Sequence, residues 1–209
     1  MTLELFHYWR SSCSWRVRWA LNLKGVAYKS TPVNLKSGEQ RQADFLQVNP
    51  AGQVPALRLD GKTVADSIAI LEWLEETHPT PALLPSDPWS RLQARQLVMT
   101  IAAGTQPLQN LKVQKYFSDD PEKRQAYAKH WITEGLKVYE SLLQDIGPGT
   151  FSLGSTPTLP DLCLIPQVYN ANRFGVDMGQ FPLIMGINER ALQTPECDKA
   201  APHNQPGAE

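Results

Sequence analysis

Leu3-Glu4-Leu5-Phe6-His7-Tyr8-Trp9-Arg10-Ser11-Ser12-Cys13-Ser14-Trp15-Arg16-Val17-Arg18 is the stretch on which the reading of this chain turns. Leu3 to Tyr8 is a short apolar-rich run suited to a strand, and Trp15 to Lys24 carries Val17, Ala20, Leu21 and Leu23 at helical spacing before Gly25. Between them stand Ser11 to Ser14, hydroxyl and thiol residues at the point where a helix has unpaired N–H groups and a positive dipole end. Two uses fit such a turn. The serines can merely cap the helix, or the helix start can stabilise a thiolate, whether that of Cys13 or of a bound thiol. Arg10, Arg16 and Arg18 add positive charge nearby, although helical spacing keeps all three from facing one pocket.

Working outward, Ala27 to Val33 is a second strand candidate and Glu39 to Gln47 a short polar helix. Ala56 to Leu59 and Thr63 to Ala65 flank Asp60-Gly61, a two-residue hairpin signal. Ser67 then precedes an apolar helix, Ile68 to Leu74, that stops near Thr77-His78-Pro79. The proline-rich connector from Thr80 to Pro88 marks a boundary. Beyond it, Trp89 to Thr105 and Pro121 to Gln144 read as long amphipathic helices and Asp161 to Asn172 as a shorter, more apolar one, with no strand. The expectation is an α/β domain over 1–80, a linker over 81–88 and an all-α domain over 89–209, with a loosely ordered tail from Lys199 to Glu209.

With 209 residues, 42% apolar, the chain can bury a substantial core, and its net charge of -1 gives no field that would draw it to nucleic acid or an anionic membrane. A small-molecule partner is the default. Met1-Thr2-Leu3-Glu4-Leu5 lacks the features of a secretory signal, and no stretch approaches the roughly 18 apolar residues of a membrane span, so a cytoplasmic protein is expected. Cys13, Cys163 and Cys197 are too widely spaced for a disulfide framework, and no Cys or His pairing has zinc-ligand spacing. Free thiols and no metal follow as expectations.

Two further turns carry chemistry. In Gln53-Val54-Pro55-Ala56 the proline is either an ordinary edge residue or a cis residue that leaves the Val54 N–H and C=O free to pair with an extended peptide. In Ala65-Asp66-Ser67-Ile68 the hydroxyl at a helix start either caps the helix or receives a ligand carboxylate while Asp66 faces an ammonium. A thiol-activating turn, a strand edge and a carboxylate cradle together suit a thiol tripeptide. Thr158-Leu159-Pro160-Asp161 has capping-box spacing and is assigned to folding, Cys163 reads as a packed thiol, and none of the four scattered histidines is nominated as a catalytic base.

These features resemble the thioredoxin-like glutathione-binding domain of cytosolic glutathione transferases, followed by their all-α domain. Ser11-Ser12-Cys13-Ser14-Trp15-Arg16-Val17-Arg18 resembles more specifically the signature of the zeta class, which includes maleylacetoacetate and maleylpyruvate isomerases. The similarity extends through Asn49-Pro50, Gln53-Val54-Pro55, Pro79-Thr80-Pro81, Leu83-Leu84-Pro85 and Gln106-Pro107-Leu108-Gln109-Asn110. It resumes at Asp161-Leu162-Cys163-Leu164, Pro166-Gln167-Val168 and Arg173-Phe174.

The resemblance implies a role for each matched position. Ser11 would assist the glutathione thiolate, with Ser12 building its pocket and Cys13 close to the sulfur. Val54, beside Pro55, would pair with the cysteinyl backbone, Ser67 with the γ-glutamyl carboxylate and Asp66, where family members often carry Gln, with the ammonium. Gln40, Gln106 and Asn110 resemble further glutathione contacts, and Lys112 matches a variable position. Arg10 and Arg173 match arginines that hold the carboxylates of a cis-enone dicarboxylate substrate. Trp15 and Arg16 fit a structural role, anchoring the first helix to the second domain. The implied activity is glutathione-dependent cis–trans isomerisation by a homodimer. The competing readings are a general transferase or peroxidase acting on halo-acids or peroxides, an enzyme with Cys13 as nucleophile, and a non-catalytic binding protein of the same fold.

Overall fold

β1 (Leu3–His7) is buried along its whole length because it has a neighbour on each side. The computed structural model describes residues 2–209, which fall into two units, Met1–Ala82 with Gln193–Glu209, and Leu83–Leu192. In the first unit β1 leads into α1 (Ser12–Leu23), and the chain returns as β2 (Lys29–Pro32) parallel to β1. After a 3-10 turn at Glu39–Arg41 come α2 (Ala43–Val48), β3 (Ala56–Leu59), β4 (Lys62–Ala65) and α3 (Ser67–Thr77). The sheet order is β2-β1-β3-β4, with β3 antiparallel to both neighbours. The tight turn at Asp60-Gly61 closes the last hairpin, both residues having positive φ. This is the thioredoxin-like arrangement expected. The polar helix expected over 39–47 is interrupted, because Gln42 is extended and separates the 3-10 turn from α2.

Strand alternation sends Phe6 to one face of β1 and His7 to the other. On the first face Phe6, Val33, Phe45, Val48 and Ala56 make a small core, with the Phe6 and Phe45 rings edge to face at 6.2 Å. On the other, α1 packs against α3. Here His7 and Arg18 are both fully buried. Arg18 Nη1 donates to His7 Nδ1 at 3.3 Å, and His7 Nε2 lies 2.7 Å from Ser30 Oγ. A guanidinium can only donate, so Nδ1 must be bare and the proton sits on Nε2, which donates to Ser30. Burial and then the Arg18 charge push the His7 pKa down to about 3.

The second unit is helical. α4 (Pro88–Ala102), α5 (Leu111–Phe117), α6 (Pro121–Ile146), α7 (Leu159–Arg173) and α8 (Pro182–Leu192) follow one another, with no strand among the described residues. Gly135 gives α6 room for the buried Thr105, whose Oγ1 would lie 1.9 Å from a Cβ at that position. Asp161 is buried at the start of α7 and accepts from Thr158 N at 2.8 Å, as the capping-box spacing predicts, and also from Ser152 N at 2.8 Å, outside the box. α8 begins on a carboxylate from α6, Glu140, which accepts from Leu183 N and Ile184 N at 2.8 and 3.0 Å. No helix among the described residues is long and apolar enough to cross a membrane.

The chain then rejoins the first unit, a departure from the expected 89–209 domain. α9 (Pro195–Ala200) packs on α1: Arg18 Nε donates to Ala200 O at 3.0 Å and Asn22 Nδ2 to Glu196 O at 3.1 Å. The tail expected to be loose forms a further 3-10 turn at Pro202–Asn204, passes Gly207 beside Trp9, and ends with Glu209 paired to Lys36. Arg18 and Asn22 hold α9 by its main-chain carbonyls, which every residue type carries, so composition gives no sign of that attachment.

His7 makes folding pH-dependent. The unfolded chain takes up a proton near the ordinary histidine value of about 6.5, whereas the folded chain refuses it down to about 3. This contribution is therefore complete above the unfolded value and is lost as pH falls toward the folded one. Urea unfolding is expected to give about 2 kcal/mol less stability at about pH 5 than at about pH 7.5 from this residue. His7→Gln should flatten that difference, and equal slopes in the two proteins would refute the assignment.

Candidate active site

The strand register aligns three turns. Ala56 at the start of β3 lies opposite Phe6 near the end of β1 and opposite Ala65 at the end of β4. The segments just beyond those positions, Tyr8 to Ser14, Gln53 to Pro55 and Asp66-Ser67, therefore leave the same end of the sheet.

In the first turn, Ser11 N donates to Tyr8 O at 3.0 Å and Trp15 N to Ser11 O at 2.9 Å. Ser11 is the N-cap of α1, its Oγ accepting from Ser14 N at 3.2 Å. The helix thus starts three residues before the apolar periodicity of the sequence, and Ser12 and Cys13 occupy its first turn. The cap uses Ser11 as an acceptor alone: its oxygen receives Ser14 N while its O–H remains a donor. Ser12 and Ser14 are buried, whereas Ser11 and Cys13 are half-buried. Ser14 Oγ accepts from Tyr8 N at 3.4 Å and so serves the turn itself. The three arginines separate. Arg10 is half-buried over the Trp9 ring, 5.2 Å from its centroid, while Arg16 and Arg18 are buried inside the unit.

The second turn contains a cis Val54-Pro55 peptide. Its hydrogen bonds hold the approach to it: Gly52 N donates to Asn49 O at 3.0 Å and Asn49 Nδ2 to Gln53 O at 2.7 Å, leaving Val54 outside them. Gly52, at φ +60, rests on the main chain of Gln40, whose carbonyl oxygen would stand 3.0 Å from a Cβ. This brings Gln40 beside the turn. The Gln40 side chain is buried and its Oε1 has no hydrogen-bond partner, an acceptor left open next to the Val54-Pro55 turn.

In the third turn Asp66 adopts φ 80 and caps α3, its Oδ1 accepting from Ile68 N and Ala69 N at 2.8 and 3.2 Å. Capping thus falls to Asp66, and the buried Ser67 hydroxyl is left for another partner. Arg16 Nη1 reaches that hydroxyl oxygen at 3.1 Å, joining the first turn to the third. The sequence suggested an anchor toward the second domain for Arg16; this bond lies within the first unit. Nothing in the periodicity of α1 marks it.

Of the expected site residues, Gln106, Asn110 and Arg173 lie in the second unit. Gln106 is half-buried beyond α4, its N–H bonded to Ile101 O at 2.8 Å. Asn110 caps α5, its Oδ1 accepting from Lys112 N at 3.2 Å. Arg173 is exposed in the last turn of α7 and donates to Asn170 Oδ1 at 3.2 Å. Gln109, which the sequence quoted without assigning a role, is buried in a reciprocal amide pair with Gln167, at 2.6 and 3.1 Å.

A family model described as the glutathione S-transferase N-terminal domain matches residues 10–77. The maleylacetoacetate isomerase of Mus musculus is 45% identical, over 97% of this chain and 93% of its own length. A solved holo structure of maleylpyruvate isomerase, a bacterial zeta-class glutathione S-transferase, superposes with a TM-score of 0.96 at 39% identity, covering 99% of this chain and 100% of that one. The chain belongs to the zeta class of glutathione transferases. Another similar solved structure, the maleylacetoacetate isomerase of Anaeromyxobacter dehalogenans 2CP-1, has dicarboxyethyl glutathione and citrate bound in the active site. It is 44% identical with a TM-score of 0.90, covering 100% of this chain and 98% of its own. In this zeta-class chain, the three turns supply a hydroxyl donor at a helix start, the Val54 main chain outside the bonds of its turn, and a second hydroxyl backed by a cation.

The cap on α3 of this zeta-class protein is separable from its charge. Asp66→Asn keeps an Oδ1 acceptor and is expected to leave stability within about 0.5 kcal/mol, whereas Asp66→Ala loses the cap and should cost about 1–2 kcal/mol. Asp66→Gly should fall between them, because glycine accepts the positive φ. Chemical denaturation of the three variants checks this order, and Ala no worse than Asn would remove Oδ1 as the cap.

Proposed function

We propose that this chain is a glutathione-dependent cis–trans isomerase acting on maleylacetoacetate or maleylpyruvate, small dicarboxylates with a cis enone double bond. The observation that carries the reading is Ser11, whose oxygen is committed to the α1 cap while its O–H stays free at the positive end of the helix. The residues present fit glutathione. The Ser11 O–H suits a thiolate, Val54 lies outside the bonds of its turn, and the open Gln40 Oε1 and the Ser67 hydroxyl add polar groups at those turns.

When bound, glutathione supplies a thiol nucleophile that turns the cis double bond temporarily into a rotatable single bond, and it leaves unchanged. Ser11 lowers the thiol pKa by donating to the sulfur, with Ser12 beside it and Cys13 near enough to modulate the sulfur's surroundings. Val54 pairs through its main chain with the cysteinyl residue, beside Pro55. Ser67 takes the γ-glutamyl carboxylate, Asp66 the ammonium through its remaining oxygen, and Gln40, Gln106 and Asn110 complete the contacts. Arg10 and Arg173 hold the substrate carboxylates, and an arginine near the enone carbonyl stabilises negative charge that builds there. We further propose a cytoplasmic homodimer. Trp89, Leu92 and Met99 recur along one side of α4 and are all exposed, an apolar stripe suited to a partner subunit.

Purified protein with glutathione should convert maleylacetoacetate or maleylpyruvate, followed by loss of the cis-enone absorbance. Ser11→Ala is expected to lower kcat about 100-fold, in the range for losing one donor to developing charge, and Cys13→Ala to lower it less than about 10-fold. Turnover of neither substrate would sink the isomerase reading, and the reverse order of the two variants would move the thiolate partner from Ser11 to Cys13.

A further inference from the structure

Ser67 is the first residue of α3, where a ligand carboxylate would normally find several free helix amides. Here Ile68 N and Ala69 N are already taken by Asp66 Oδ1. Reception of an anion therefore falls more heavily on the Ser67 hydroxyl, and that hydroxyl is buried against a cation. Arg16 is 1% exposed, lies one helical turn beyond Ser12 on the same face of α1, and donates from Nη1 to Ser67 Oγ at 3.1 Å. A guanidinium has no acceptor, so the bond can run in one direction alone. With one lone pair held by Arg16, the Ser67 proton is free to point away from it, and the adjacent positive charge polarises the O–H into a stronger donor.

From this geometry we infer that Arg16 is a positioning residue for the γ-glutamyl carboxylate: it aims the Ser67 hydroxyl at the ligand and places a buried positive charge behind it. The inference rests on the glutathione-binding reading above. It also makes α1 serve both ends of the ligand, through Ser11 at the thiol and Arg16 at the γ-glutamyl group.

The test compares glutathione with cysteinylglycine, which keeps the thiol but lacks the γ-glutamyl carboxylate, by calorimetry. Arg16→Gln is expected to weaken glutathione about tenfold while changing cysteinylglycine less than about twofold, and Ser67→Ala to do the same. The double variant should be no more than about twofold weaker than the weaker single one, because both act on a single contact. Equal loss for both ligands, or additive losses in the double variant, would overturn the assignment and leave Arg16 as packing. Because a buried arginine can be needed for folding, the unmodified protein supplies a second readout: the Arg16 guanidinium NMR resonance should shift with glutathione and stay in place with cysteinylglycine. An Arg16 resonance that responds alike to the two overturns the inference. Should the unmodified protein bind neither ligand, the glutathione reading falls and this assignment with it, whereas binding with unchanged discrimination in Arg16→Gln removes this assignment alone.

Discussion

The first unit depends on one buried guanidinium. Arg18 is fully buried and has no carboxylate partner among the described residues: it donates to the carbonyls of Tyr8, Trp9 and Ala200 and to His7 Nδ1. Burial lowers its pKa to about 9, so the charge persists at neutral pH, supported by neutral acceptors alone. A buried cation of this kind is tolerable only when nearly every N–H is paired. Two of its acceptors are the residues that lead from β1 toward Ser11. The backbone approaching the thiol turn is thus held in place by the need to solvate Arg18, and its direction is set before any ligand arrives.

That constraint lets one short turn cap a helix and still keep a donor unspent. Ser11 and Asp66 each cap a helix with an oxygen, and each keeps something in reserve, an O–H in one case and a second carboxylate oxygen in the other. A helix cap needs an acceptor, whereas a thiolate or a ligand carboxylate needs a donor. Because a hydroxyl is both, Ser11 need not choose between them, and Ser67, relieved of capping by its neighbour, is available to Arg16.

What the sequence disclosed follows the same logic. The βαβαββα order, the hairpin at Asp60-Gly61 and the capping box at Asp161 were legible because each is a local signal, carried by residues adjacent to the structure they create. The start of α1 was read three residues late, because apolar spacing marks the buried face and the cap lies outside it. α8 went unseen for a different reason: its first amides are satisfied by Glu140, 43 residues upstream of Leu183. The Ser11, Val54 and Ser67 turns were recognisable as motifs, but the register that brings them to one end of the sheet is a pairing between strands far apart in sequence. Arg16 and Arg18 show the limit most clearly, since two similar residues two positions apart take different partners.

The return of the chain to its first unit has a consequence for the order of events during synthesis. Tyr8, Trp9 and Arg18 leave the ribosome early, yet the last carbonyl that Arg18 requires belongs to Ala200. All of Leu83–Leu192 is made in between. Until Ala200 has been made, water must serve the Arg18 Nε, so the unit that is begun first reaches its final set of hydrogen bonds only after the whole helical unit has been synthesised.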